Sequence, residues 1–584
     1  MGDAARPLAK DWADLGLVAL LSAAVFGLAH LAALTNPFVI NDDVRQQIFW
    51  MQQWQDPELF RGDLLSDYAR HYVTWGVKGL YWLASWVVGP ITFSKILPGL
   101  LFVFLAGCFF KIGEVLWGVR RLAWMAVAVF WLLPFFLDNM SGGLARAFAA
   151  PMLALFWLYW LNRSPRGLAV VLLLQALFIP YIFVLAATAA LLAWGLSRVG
   201  GSSPPPFPVR PAHFSLLALG AGLVVLMNYQ FTAAGYGPLV SWAEMTNRPE
   251  FASGGRFAIL PVPSLFWELI SPWEFIAPFR EGGLIVGSLG GAILLGLAIY
   301  GSLRLDRRAL KSRWQPVCYL GLASLLLYLL ARLFWLKLFV PDRYLIYTLN
   351  LFYCLALAWC WGSAIQLQRW PRLLTVLALI LAAGLGAWRL QGVGLYDFAV
   401  YRPVYAALAQ TPKDALIAGH PNLMDNVMTF GQRRALATFE LSQPWSRGYW
   451  QRIKSRLDDL FTAYYTDNPE VVRTFAQKHQ VAFLVVDERH FTPAFLAGGR
   501  FFVPFNDLTF RGHRKKLTEK VVCPFFAPFG ELIRTQTQNR SHFALLDPQA
   551  FPRQAIGDHL WLIDMRPSFS DHALRPIPQS GEVR

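Results

Sequence analysis

Cysteine is scarce in this chain, with five in 584 residues. Cys108, Cys318, Cys354, Cys360 and Cys523 have no paired spacing and four of them fall in apolar runs, so neither a disulfide framework nor a zinc site is indicated. Charge is scarce too. Only 15% of residues are charged while 56% are hydrophobic and mean hydropathy is +0.41, so most of the chain must lie in lipid. Acidic residues are outnumbered, 36 to 52, giving a net charge of +16. Much of the excess sits in short loops between apolar segments, which makes it a topology signal and not a nucleic-acid surface. The leader of the first apolar stretch sets Arg6 and Lys10 against Asp3, Asp11 and Asp14. It lacks the positive bias of a signal peptide and reads as the start of an uncleaved first helix. No internal repeat of a solenoid or inverted-transporter kind is evident.

What the chain does have is a series of apolar segments, at about 15–35, 74–89, 92–117, 121–137, 144–161, 167–196, 214–231, 283–302, 315–338, 343–364 and 371–390. Short basic loops belong in the cytoplasm: Arg120/Arg121, Arg163/Arg166, Arg198/Arg210, the cluster Arg304, Arg307, Arg308, Lys311 and Arg313, and Arg369/Arg372. All five can lie inside together on two conditions. Segment 74–89, which carries Lys78 and ends at Gly89-Pro90, must lie on the outer face as an interfacial helix. The run 167–196 would be about 45 Å as one helix, is interrupted by Pro180, and must form two short helices. The expectation is a polytopic α-helical membrane protein with about eleven transmembrane helices in residues 1–390, sited in the cell (inner) membrane with a cytoplasmic N-terminus. Its outer loops are 36–91, 138–143 and 232–282. Residues 391–584 read as a small extracytoplasmic α/β domain, with strands at 415–418 and 481–486 and helices at about 448–464 and 469–479.

Three clusters fall on the outer face in this topology. Asp42 and Asp43 stand just beyond the first helix at the interface, where a carboxylate can be partly desolvated and act as a general base. The next outer loop reads Asp138-Asn139-Met140-Ser141-Gly142-Gly143-Leu144-Ala145-Arg146, a second acid with an Arg entering the following helix. The third is Pro341-Asp342-Arg343-Tyr344, where Arg343 can present a planar fork to an anionic head group at the lipid boundary. The long outer loop carries Tyr236, Trp242 and Trp273, whose rings are candidates to stack on sugar faces. Asp43 and Asp138 leave room for a divalent metal between them, but two acids do not make a site, and no cofactor is certain.

An acid just after the first helix, an interfacial helix of the kind His71-Tyr72…Gly79-Leu80-Tyr81-Trp82-Leu83, a second outer-loop acid 95 residues on and a late Arg-Tyr opening a helix resemble the GT-C superfamily. Its members are integral membrane glycosyltransferases that use lipid-linked sugar donors, among them aminoarabinose and mannosyl transferases and the oligosaccharyltransferases. The resemblance covers about residues 10–390 and implies an inverting transfer from a polyprenyl-phosphate sugar to a glycan, lipid or protein acceptor of the cell envelope, such as a polysaccharide. It implies Asp43, or its neighbour Asp42, as general base and Asp138 as the second acid. For the donor phosphate it implies His71 and Arg343 with Tyr344; Arg146 is a further candidate there. No Trp-Trp-Asp triplet of the oligosaccharyltransferases occurs. Two other readings compete: a transporter or flippase for a lipid-linked saccharide, and a non-catalytic scaffold of the same architecture. Carriers place ionisable groups near the midplane in broken helices, and the break at Pro180 is the one such feature in the sequence.

Overall fold

The computed structural model describes chiefly residues 12–199, 207–233, 235–252, 315–334, 340–492 and 542–566. Nearly all of the expected span 283–302, the basic loop 303–314, Trp273 and Cys523 lie outside the described residues. The chain divides into two compact units, Met1–Val44, Val73–Thr232 and Pro263–Asp397 in the first and Arg45–Tyr72, Ala233–Val262 and Phe398–Arg584 in the second.

The first unit is helical: α1 (Trp12–Ala29), α2 (Trp75–Ala84), α3 (Pro90–Trp117), α4 (Arg120–Trp131), α5 (Pro134–Met140), α6 (Ala149–Leu161), α7 (Pro165–Phe178), α8 (Pro180–Val199), α9 (Pro211–Ala233), α10 (Gln315–Leu333), α11 (Ile346–Ala364) and α12 (Arg372–Arg389). Among the described residues, six helices are long and apolar enough to cross a membrane, or seven if the bent pair α4 and α5 forms one span. Three shorter apolar helices accompany them, Ala145–Leu161, Pro165–Phe178 and Ala212–Met227. The chain is a multi-pass membrane protein.

Helices α3 and α4 lie against each other, with α1, α6, α11 and α12 packed around them. Side-chain spacing sets which face turns inward. In α1, Val18, Ser22, Val25, Phe26 and Ala29 are buried at helical spacing, while Leu17, Leu20 and Leu28 stay exposed to form a lipid-facing stripe. At Gly113 a Cβ would come within 2.9 Å of Ala123 Cα, so a side chain there would force α3 and α4 apart. Polar links between helices include Trp131 Nε1 donating to Ser22 Oγ at 3.0 Å and Ser324 Oγ donating to Thr348 Oγ1 at 2.7 Å. Within lipid such bonds contribute on the order of 0.6 kcal/mol each, so packing dominates.

Helix α2 has ten residues, about 15 Å, which is too short to span. The run 167–196 is two helices, α7 and α8, broken at Ile179-Pro180, where the proline cannot continue the ladder. The segment expected at 121–137 departs from a single span. Pro134 opens a new helix, and α5 is turned by 63° from α4.

The second unit contains a five-stranded sheet in the order β4-β3-β5-β7-β6, built from β3 (Leu416–Gly419), β4 (Arg434–Ala435), β5 (Phe483–Asp487), β6 (Arg553–Gly557) and β7 (Leu560–Asp564). Strands β3, β4 and β5 are parallel; β7 joins β5 antiparallel and pairs with β6. Strand β5 (Phe-Leu-Val-Val-Asp) is buried along its whole length, as a strand covered on both faces should be. Its neighbours include the amphipathic helices Arg447–Tyr464 and Pro469–His479, close to the expected bounds. A separate two-residue pair, β1 (Val39–Ile40) with β2 (Tyr396–Asp397), belongs to the first unit.

Candidate functional site

Four segments of the first unit converge. The first is Asn41-Asp42-Asp43, directly after β1. Asn41 Oδ1 accepts from the Asp43 amide at 3.1 Å while its Nδ2 donates to the Gly394 carbonyl at 2.8 Å, so one side chain fixes the backbone of Asp43 and ties it to the end of the unit. Asp42 is half-buried beside it.

The second segment is the turn after α5. The 63° bend at Pro134 directs the short helix that carries Asp138 and Asn139, and the chain then reverses through Gly142 and Gly143, both at positive φ (84° and 63°). There is no room for a side chain at Gly142: a Cβ would lie 2.9 Å from Asn41 Cβ and 3.0 Å from Val44 Cγ2. Tyr81 of α2 donates from its hydroxyl to the carbonyls of Gly142 and Gly143, 3.2 Å each, and Ser141 Oγ donates to Gly394 O at 2.9 Å. The turn delivers Arg146 back to the start of the site, where its guanidinium pairs with Asp43. Asp138 has Arg146, Asp43 and Arg343 as its charged neighbours.

The third segment is the turn Pro341–Tyr344 before α11. Arg343 Nη1 donates to Tyr347 OH at 3.4 Å, and Tyr347 OH donates to Asn139 Oδ1 at 3.0 Å, linking α11 to the residue after Asp138. Tyr181, just after the Pro180 break, stacks on Tyr347 with ring centroids 6.1 Å apart. Tyr344 is buried, and its hydroxyl donates to the Leu338 carbonyl. The fourth segment is Gly394 itself, close against Asp138; a Cβ there would be 3.1 Å from Asp138 Oδ1.

The structure thus brings together Asp43, Asp138, Arg146 and Arg343, with Asp42 and Tyr344 adjoining. His71, Tyr236 and Trp242 belong to the second unit. His71 ends the helix Leu64–Tyr72; its Nδ1 is held by the Asp67 carbonyl and lies 3.5 Å from Tyr236 OH. Tyr236 is packed edge-on among Tyr68, Tyr449 and His71, and burial pushes its hydroxyl up to about 12. Tyr236 is 8% exposed and Trp242 40%. The sequence reading passed over Tyr181, Tyr347 and Gly394. Tyr347 carries a signal, since it stands one helical turn after Arg343. Gly394 carries none, because its role depends on a contact 353 residues away in sequence.

Among the described residues, no three His, Cys, Asp or Glu side chains form a group able to hold a metal ion. Arg146 pairs with Asp43 and lies within electrostatic range of Asp138.

No family model and no curated protein matches the chain. Solved structures do. The oligosaccharyltransferase of Archaeoglobus fulgidus, crystallised with Zn and sulfate, is 14% identical over 85% of this chain and 70% of its own, with a TM-score of 0.50. The archaeal oligosaccharyltransferase AglB from Archaeoglobus fulgidus, in complex with an inhibitory peptide and a dolichol-phosphate, is 13% identical over 84% of this chain and 71% of its own, with a TM-score of 0.42. The structural neighbours are GT-C membrane glycosyltransferases, and the fold of this chain is the GT-C fold.

Proposed function

We propose that the chain is a membrane glycosyltransferase that takes a sugar from a polyprenyl-phosphate donor and transfers it, with inversion, to a glycan, lipid or protein acceptor on the outer face of the cell membrane. The observation that carries this reading is the convergence of two acids and two arginines from segments far apart in sequence onto one place in the first unit. Isolated charges at a membrane surface are ordinary; charges assembled by a proline bend, two positive-φ glycines and an Asn bridge are costly to build and tend to be functional.

The chemistry follows from the charges. Asp43 is the general base, with Asp42 as the alternative, and takes the acceptor's hydroxyl proton as the new bond forms at the sugar's anomeric carbon. The bond to the phosphate oxygen breaks, and the leaving phosphate keeps the electron pair. Arg343 and Arg146 offset the charge that develops on it. Asp138 adds negative charge beside Arg146. Trp242 and Trp273 are kept as acceptor-side candidates and His71 as a donor-phosphate candidate. The eleven-crossing topology, with residues 391–584 outside, rests on the placement of the basic loops; among the described residues, six long apolar helices, one bent pair and three shorter apolar helices are consistent with ten of its spans.

The test is transfer by purified protein in lipid nanodiscs, supplied with polyprenyl-phosphate sugars. Asp43→Asn or Asp138→Asn should lower turnover at least about 10²-fold, the scale of a lost positioned base or its support, without loss of folded protein. Unchanged turnover in Asp43→Asn moves the base to Asp42; if Asp42→Asn is equally silent, the enzyme reading fails. Flux of lipid-linked saccharide with no transfer product would favour a carrier instead.

A further inference from the structure

The base assigned above is already engaged. Arg146 contacts the Asp43 carboxylate directly, and neither is deeply buried, at 29% and 23% exposed. Arg146 is also the first of the charged neighbours of Asp138, ahead of Asp43 and Arg343. A guanidinium has five N–H donors, and the Nε of Arg146 finds no hydrogen-bond partner among the described residues. The cation therefore has donors to spare while one of its contacts covers the group that must accept a proton.

Arg343 is differently placed. Its guanidinium is anchored through Tyr347 to Asn139, and Asp342 lies 3.9 Å from its Nε. Arg146 sits on a four-residue 3-10 turn just after the two positive-φ glycines and pairs with a half-exposed carboxylate. Of the two arginines, it is the one that can turn without breaking a hydrogen-bonded chain. An incoming phosphate needs such a turn, because it would otherwise meet Asp43 and Asp138 with too little positive charge between them.

We propose that Arg146 is shared between Asp43 and the phosphate of the lipid donor. With the site empty it covers the base. A bound phosphate draws it away, and Asp43 is uncovered for the acceptor hydroxyl. Donor then binds before acceptor, and no acceptor is deprotonated while the donor is absent. In the transfer itself Asp43 receives the acceptor proton, the anomeric carbon exchanges its bond to phosphate oxygen for one to the acceptor oxygen, and Arg146 stays with the phosphate that carries off the electron pair. This rests on the donor reading above, so the test is chosen to separate the two.

The probe is polyprenyl phosphate without sugar, bound to full-length protein in nanodiscs, measured for wild type, Asp43→Asn, Arg146→Gln and the double variant. Wild type should bind it. Asp43→Asn should bind about 2- to 5-fold more tightly, because Arg146 no longer has to leave a half-exposed carboxylate. Arg146→Gln should bind at least about 10-fold more weakly. The double variant should match Arg146→Gln, since the gain acts only through the arginine. If the gain from Asp43→Asn persists in full in the Arg146→Gln background, it is plain charge repulsion and the sharing is overturned. Unchanged or weaker binding by Asp43→Asn overturns it as well, and decides the matter alone should Arg146→Gln not accumulate as folded protein. No binding by wild type removes the donor reading itself, and the sharing with it.

Discussion

At the scale of single residues, Asp43, Asp138 and Arg343 were picked out by position beside apolar stretches, and the structure brings them to one place, while their roles stay proposals. Their partners were not picked out. Tyr347 and Tyr181 look like ordinary interfacial aromatics, and only the hydrogen bond from Arg343 to Tyr347 and the stack on Tyr181 give them a role. This refines the expectation for Arg343. Arg343→Ala should weaken donor binding by about 1.5–3 kcal/mol, the range for hydrogen bonds to charged groups, and Arg343→Lys should raise KM for the donor more than it lowers kcat. Equal donor affinity in wild type and Arg343→Ala would leave this arginine as an interface anchor only. Tyr236 went the other way. Read as a sugar platform, it is a packed core ring, because sequence reveals an aromatic but not what its edges and faces meet.

At the scale of elements, periodicity and proline did most of the work. The break of 167–196 at Pro180, the short α2 and the strands β3 and β5 follow from run length and pattern. The bend between α4 and α5 was missed although Pro134 was in view, since a proline within an apolar run can kink a span or end it, and sequence does not say by how much. That bend and the Gly142-Gly143 reversal position the second acid. Gly142→Ala puts a side chain at φ +84° and within 3.0 Å of Val44 and Asn41, neither of which can yield without moving Asp43. It should cost about 1–3 kcal/mol of stability and reduce turnover together with it. Gly118→Ala provides the control: it is also at positive φ, but with nothing within 4 Å, so it should lower the unfolding midpoint while leaving turnover per folded molecule unchanged.

At the scale of the molecule, two measurements apply. Reporters fused after residue 390 and within 303–314 should lie on opposite sides of the membrane, the first outside; a cytoplasmic second unit would remove the acids from the outer face. The second concerns stability. Asp63 is buried at 3% exposure with Oδ2 accepting from the Ser66 amide at 2.7 Å, and burial pushes it from 3.8 up to about 6. The folded state therefore holds this proton more tightly than the unfolded chain. Its contribution is complete below about 3.8 and is lost as pH rises through about 6. Asp425, pushed up to about 7 by burial, acts in the same sense. The unfolding midpoint should fall between about pH 4 and about pH 7, and Asp63→Asn should remove part of that fall. An identical pH dependence in the variant would mean that Asp63 is charged when folded.

The pairing of β1 with β2, together with the bond from Asn41 to Gly394, joins residues near the first helix to residues that follow the last helix of the same unit. On the ribosome these two ends are made far apart in time. A chain released from synthesis before Gly394 can already hold the described helices of the first unit, both acids and both arginines, yet the loop that carries Asp43 lacks its strand partner and the Gly394 carbonyl. The geometry of the proposed site is therefore completed only when the last helix of the first unit and Gly394 are in place. A partly inserted chain carries the charges of the site without its geometry.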